Sequence, residues 1–125
     1  MRLFSDHLLT ASGRVGRAVF CPTAFVLIGL GLGLGHVARL GLPAWITLIP
    51  WLGLAYLGLC LVNQRLHDIG RSGWWAGPLL LIGLVLAHLD GKIGHGLLPL
   101  AVSLLAALLS LIPGSRGHNR YGPRP

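Results

Sequence analysis

Four stretches of this chain contain no Asp, Glu, Lys or Arg: residues 19–38, 45–62, 74–89 and 97–112. Together they take up 70 of the 125 residues and leave few ways to fold. A helix crossing the hydrocarbon core of a bilayer needs about 20 predominantly apolar residues, with a working range of roughly 17–25. The first two stretches, at 20 and 18 residues, meet that requirement directly. The last two have 16 each, and uncharged neighbours at 94–96 and 113–114 extend them. A pair of re-entrant hairpins is the alternative for the last two, since it also returns the chain to its starting side. Four full spans are the expectation.

Composition closes off the other classes. Charged residues make up 10% of the chain, against about 25% in a typical soluble domain. Hydrophobic residues make up 54%, and mean hydropathy is +0.74. A water-soluble fold of this size needs a charged shell that this chain lacks, and the apolar content is too high for disorder. The expected architecture is an all-α integral membrane protein with one membrane domain. It has an arm at 1–18, four transmembrane helices and a tail at 113–125. In the arm, Leu3, Phe4, His7, Leu8 and Leu9 line one side of a short helix expected to lie in the inner interface.

Ten basic residues against three acidic ones give a net charge of +7. In a soluble protein that excess would suggest nucleic acid, but here its placement decides the matter. The arm holds Arg2, Arg14 and Arg17, the first connection Arg39, the second Arg65 and Arg71, the third Lys92, and the tail Arg116, Arg120 and Arg124. With both termini in the cytoplasm, eight of the ten lie inside, as the positive-inside rule requires. No nucleic-acid partner is expected. The first span is too long for the apolar region of a cleaved signal, so it reads as an uncleaved anchor. Cys21 and Cys60, near the inner ends of the first two spans, read as reduced thiols packed as small apolar residues.

Within the spans, Gly29, Gly31, Gly33 and Gly35 form two overlapping small-xxx-small pairs, which let helix backbones approach closely in lipid. Packing within the monomer is the first reading, and a homo-oligomer through Gly29 and Gly33 is the second. Trp45, Trp51, Trp74 and Trp75 mostly mark span ends, where indole rings anchor at headgroup depth. Pro50 sits one turn into the second span, where it bends the helix mildly.

No span has Asp, Glu, Lys or Arg in its interior, and proton-coupled transporters and pumps need such groups to hold the coupling ion. His36, His88, His95 and Asp90 lie near the outer side without matching a metal-ligand spacing and read as scattered interfacial residues, so neither metal nor cofactor is expected.

The informative residues face the cytoplasm. They are 12–17 (Ser-Gly-Arg-Val-Gly-Arg), the connection 65–75 (Arg-Leu-His-Asp-Ile-Gly-Arg-Ser-Gly-Trp-Trp) and the tail 113–123. Asp68 is the only carboxylate in the connection and tail. A lone carboxylate among so many guanidiniums is expected to be ionised and paired. Arg14, Arg17, Arg65 and Arg71 are all open as its partner.

Gly13-Arg14 with Arg17, the run Arg65-Leu66-His67-Asp68-Ile69-Gly70-Arg71-Ser72-Gly73-Trp74-Trp75, and Gly117 with Asn119-Arg120-Tyr121-Gly122-Pro123 resemble the three signatures of the domain of unknown function 805 family. The resemblance runs from about Leu3 to Pro125. It implies a small bacterial inner-membrane protein and brings no established activity. The chain departs from the family pattern at Cys21, where an aromatic usually follows the equivalent of Phe20. It departs again at Arg124, where an acidic residue is common before the final proline.

Two readings of the inner face stand side by side. In one, the motifs lock the cytoplasmic helix ends together: Asp68 accepts from an arginine, Asn119 bonds loop backbone, and the glycines permit tight turns. In the other, Arg14, Arg17, Arg65, Arg71 and Arg120 bind an anion, with Asp68, His67 and Asn119 organising them. The expected ligand is then a membrane-lipid headgroup, with a phosphorylated metabolite or an acidic protein as alternatives. Both readings are non-enzymatic, and the second makes the protein lipid-responsive or partner-binding. A catalytic pair of His67 and Asp68 acting with Ser72 is a weaker reading, because adjacent side chains point in different directions. A small transporter, channel or lysis-type protein is the remaining alternative, although Thr47, Ser103 and Ser110 are too isolated to line an aqueous path.

Overall fold

The computed structural model describes residues 12–93 and 96–125. Its elements are helices α1 (Arg17–Ala38) and α2 (Ala44–Asp68), a 3-10 turn (Gly73–Trp75), and helices α3 (Ala76–Ile93) and α4 (Leu97–Leu111). The described residues include no strand. The short helix expected around Leu3 to Leu9 lies outside them.

Three helical segments are long and apolar enough to cross a membrane. These are α1 with mean hydropathy 2.0, α2 with 1.9, and the run Gly73–Asp90 with 1.3. At 1.5 Å per residue, α1 and α2 are about 33 and 38 Å long. Helix α4 has 15 residues, about 22 Å, which is less than the roughly 30 Å of a hydrocarbon core. Local chemistry sets its limits. At its start, the Asp90 carboxylate accepts from the backbone N–H groups of Gly96 and Leu97 at 2.8 and 2.7 Å. At its end, Pro113 pushes the preceding Ile112 into an extended conformation with ψ 123°.

Helix α2 departs most from the sequence expectation. It continues six residues beyond 62 and takes Arg65, His67 and Asp68 into its last turns. Charge marked these residues as a connection, but their charges are neutralised within the fold. The helix ends in a Schellman motif: Gly70 N–H donates to His67 O and Arg71 N–H to Leu66 O, at 3.1 and 2.8 Å. Gly70 supplies the required left-handed residue, with φ +83°.

Helix α1 packs against both α2 and α4, and α4 packs against α3. Helices α2 and α3 meet chiefly through the 3-10 turn. The core of Val15, Phe20, Ala24, Leu61, Leu66 and Leu109 gathers towards one end of the bundle, below the polar segments. Elsewhere many of the large apolar side chains face outward. Phe25 is 80% exposed, Ile49 73% and Leu111 73%, a surface that requires lipid or protein rather than water.

The glycines of α1 divide into two rows. A Cβ at Gly31 or Gly35 would meet the Trp51 ring at 4.0 or 3.9 Å, so this row forms a flat track for an indole from α2. Trp51 is therefore a packing residue inside α2 rather than an end marker. Gly29 and Gly33 have nothing within 4 Å, so the close packing inside the monomer uses the other pair.

Candidate functional site

The polar segments converge on Asp68, the last residue of α2, which is 4% exposed. One turn earlier on the same helix, Arg65 is 0% exposed and donates from Nη1 to Asp68 Oδ2 at 2.5 Å. Arg14, from the segment before α1, donates from Nε and Nη2 to Asp68 Oδ1 at 3.1 and 2.9 Å. Of the four arginines open to pair with Asp68, the fold brings in Arg14 and Arg65. Each carboxylate oxygen receives its own guanidinium.

Two buried cations share one anion, and main-chain dipoles balance the excess. Arg65 donates to Leu109 O at 3.0 Å, Ile112 O at 2.6 Å and Val15 O at 3.2 Å. Leu109 and Ile112 lie at the C-terminus of α4, where carbonyls have no partner inside the helix and the helix dipole is negative. Arg65 thus caps α4 from α2. Arg14 donates to Gly117 O at 2.7 Å, Gly122 O at 3.1 Å and Ser115 O at 2.9 Å, so it holds the tail. A lysine has neither the fork nor the donor count for such a junction.

The tail closes the cluster from above. Ser115 donates to the Asp68 carbonyl from both its backbone N–H and its hydroxyl, at 2.7 and 2.9 Å. Asn119 Nδ2 donates to His67 O and Ser115 Oγ, at 3.0 and 2.7 Å, while its Oδ1 accepts from Tyr121 N–H at 2.9 Å. Gly114 passes so close that any Cβ there would collide with the Asp68 carboxylate. Nothing in the sequence alone singled out Gly114 or Ser115. The glycine following Pro113 was the available signal, but its reason is tertiary.

His67 does not join its sequence neighbour. Its Nδ1 lies 3.1 Å from Gly13 O, and its ring stacks on Tyr121 with centroids 4.0 Å apart and an interplanar angle of 7°. The other face residues behave differently from Arg14 and Arg65. Arg17, Arg71, Arg116, Arg120 and Arg124 are all exposed at this end. Arg14 and Arg65 are the arginines that pair with Asp68 among the described residues. Arg120 lies over the Tyr121 ring, 4.8 Å from its centroid.

The family model for DUF805, described as a protein of unknown function, matches residues 8–123. The chain belongs to the DUF805 family. No curated protein and no solved structure matches it. The matched span contains the whole Arg14–Arg65–Asp68 junction and its tail contacts. The two departures of this DUF805 member lie outside that junction. Cys21 is exposed on α1, with its thiol 3.3 Å from Ser110 Oγ, and Arg124 is exposed in the tail. Cys60 is a buried free thiol. Among the described residues, no three His, Cys or Asp side chains come together as metal ligands. His95 lies outside the described residues.

Proposed function

We propose that this DUF805 chain is a non-enzymatic, multi-pass protein of the bacterial inner membrane. Both termini lie in the cytoplasm, and the basic end of the bundle engages lipid headgroups. One observation supports this above the others, a division of labour among the arginines. Arg14 and Arg65 direct their guanidiniums to Asp68 and six carbonyls, and so build the junction. Arg17, Arg71, Arg116, Arg120 and Arg124 surround it, exposed. Orientation by the positive-inside rule brings those five against the anionic inner leaflet, where each basic residue contributes about 1 kcal/mol of attraction. The anion-binding set is accordingly Arg17, Arg71 and Arg120 with Arg116 and Arg124, while Arg14 and Arg65 shape the surface that carries them. The non-enzymatic reading draws support from His67 and Asp68, whose side chains serve separate structural partners.

The test is native mass spectrometry of the protein extracted from mixed zwitterionic and anionic nanodiscs. Enrichment of anionic lipid should fall in an Arg17→Gln/Arg71→Gln/Arg120→Gln variant that inserts normally. Unchanged enrichment in that variant would overturn the reading. Ion conduction in liposomes would favour the channel alternative instead.

A further inference from the structure

Beside the junction, an open cleft of about 420 Å³ lies between the end of α2, the 3-10 turn, the start of α3 and the tail. Its lining includes Asn63, His67, Ser72, Gly73, Trp74 and Tyr121. The volume falls within the roughly 300–1,000 Å³ of small-molecule sites. Two acceptors on α2 stand out among its lining groups. Asn63 Oδ1 is buried without a hydrogen-bond partner. His67 Nδ1 faces the Gly13 carbonyl, which only accepts, so the neutral tautomer that fits this contact carries its proton on Nδ1 and presents Nε2 as an acceptor. Asn63 and His67 are one helical turn apart and share a face of α2. They converge on Gly73: a Cβ built there would lie 3.2 Å from Asn63 Oδ1 and 3.3 Å from His67 Nε2. Two acceptors thus meet where a residue without a side chain borders the cleft.

The rim has the opposite character. Arg71, next to Ser72, and Arg120, over Tyr121, are exposed cations. A complementary ligand places an anion at the rim and a hydrogen-bond donor at the floor. We propose that the cleft seats a phospholipid headgroup whose phosphodiester carries a terminal N–H or O–H donor, the phosphate facing Arg71 and Arg120 and the donor facing His67 Nε2 and Asn63 Oδ1. A lipid fits better than a free phosphodiester because α2 and α3 have little contact beyond the 3-10 turn. Gly77 lines the cleft from α3, and Leu80 and Leu81, three and four residues further along that helix, are exposed. This inference rests on the headgroup-binding reading above and names the ligand class of that face.

The experiment follows thermal unfolding of the full chain in detergent with short-chain dihexanoyl phosphatidylethanolamine, phosphatidylglycerol or phosphatidylcholine. All three carry the phosphate, and only the first two carry a terminal donor. One or two added hydrogen bonds correspond to about tenfold tighter binding, so the ethanolamine or glycerol lipid should shift the midpoint at about tenfold lower concentration than the choline lipid. Whichever does so identifies the donor as amine or hydroxyl. Asn63→Leu and Gly73→Ala should abolish that preference, and Asn63→Leu should keep the lipid-free midpoint or raise it. Equal shifts from all three lipids in the wild type, lost in Arg71→Gln/Arg120→Gln, would overturn the cleft proposal while leaving the basic-face reading standing. A preference retained in both Asn63→Leu and Gly73→Ala would also overturn it. Equal potency of acyl-free glycerophosphoethanolamine would overturn the lipid assignment. No shift with any lipid would overturn both readings.

Discussion

Arg65 and Asp68, three residues apart on α2, form a buried ion pair in which the arginine also caps the C-terminus of α4. One side chain therefore ties two apolar helices together at the same depth, and Arg14 adds the tail through the other carboxylate oxygen. Removing one partner from a buried pair leaves an uncompensated charge and typically costs about 3–5 kcal/mol. Arg65→Met, Asp68→Ala and Arg14→Leu should each lose about that much in detergent unfolding titrations. Because the three share one network, the double variant Arg65→Met/Asp68→Ala should lose clearly less than the sum of the singles. An additive result would mean that the pair is not coupled.

Gly114 is predicted to be among the least replaceable glycines. Its Cβ would overlap the Asp68 carboxylate, so Gly114→Ala should displace the tail and cost about 1–3 kcal/mol, as overpacking does. Gly58→Ala is the control. It lies within α2 with open space at its Cβ, and alanine there should stabilise by about 0.5–1 kcal/mol. Thermal midpoints of the two variants should move in opposite directions.

The tail should report on the junction through Asn119. Its side chain makes three hydrogen bonds that link His67 O, Ser115 Oγ and Tyr121 N–H. Asn119→Ala should destabilise the protein by about 1–3 kcal/mol through the groups left unpaired. It should also speed proteolytic cleavage after Arg116 and Arg120, measured by limited trypsin digestion.

The two glycine rows should separate under leucine substitution. Gly31→Leu and Gly35→Leu would force Trp51 off α1 and lower the unfolding midpoint, whereas Gly29→Leu and Gly33→Leu face open space and should leave the monomer's midpoint unchanged. If the homo-oligomer expected at Gly29 and Gly33 forms, those same two variants should remove it in crosslinking.

The exposed arginines should behave in the reverse sense to the buried ones. Arg71→Gln and Arg116→Gln, lacking ion-pair partners among the described residues, should stay within about 0.5 kcal/mol of wild-type stability. Both should still reduce binding to anionic vesicles. A loss of stability comparable to that of Arg65→Met would contradict the division between structural and surface arginines.

Much of this protein is written locally. The absence of charge over 19–38, 45–62 and 74–89 determined three membrane-length helices, because a bilayer selects on length and hydropathy, which any single segment declares by itself. The lone Asp68 among arginines determined that a charge cluster would exist. Its partners were a different kind of question. Arg14 is 54 positions from Asp68 and Gly117 is 103 from Arg14, and only helix packing brings such residues together. The same packing kept Arg65, His67 and Asp68 helical, since pairing and capping removed the cost that had marked them as a loop. It also buried Arg14 and Arg65 and left Arg17, Arg71, Arg116, Arg120 and Arg124 exposed. Hydropathy is a property of a segment, but satisfaction of a buried charge is a property of the assembled bundle, and the tertiary structure alone decided it.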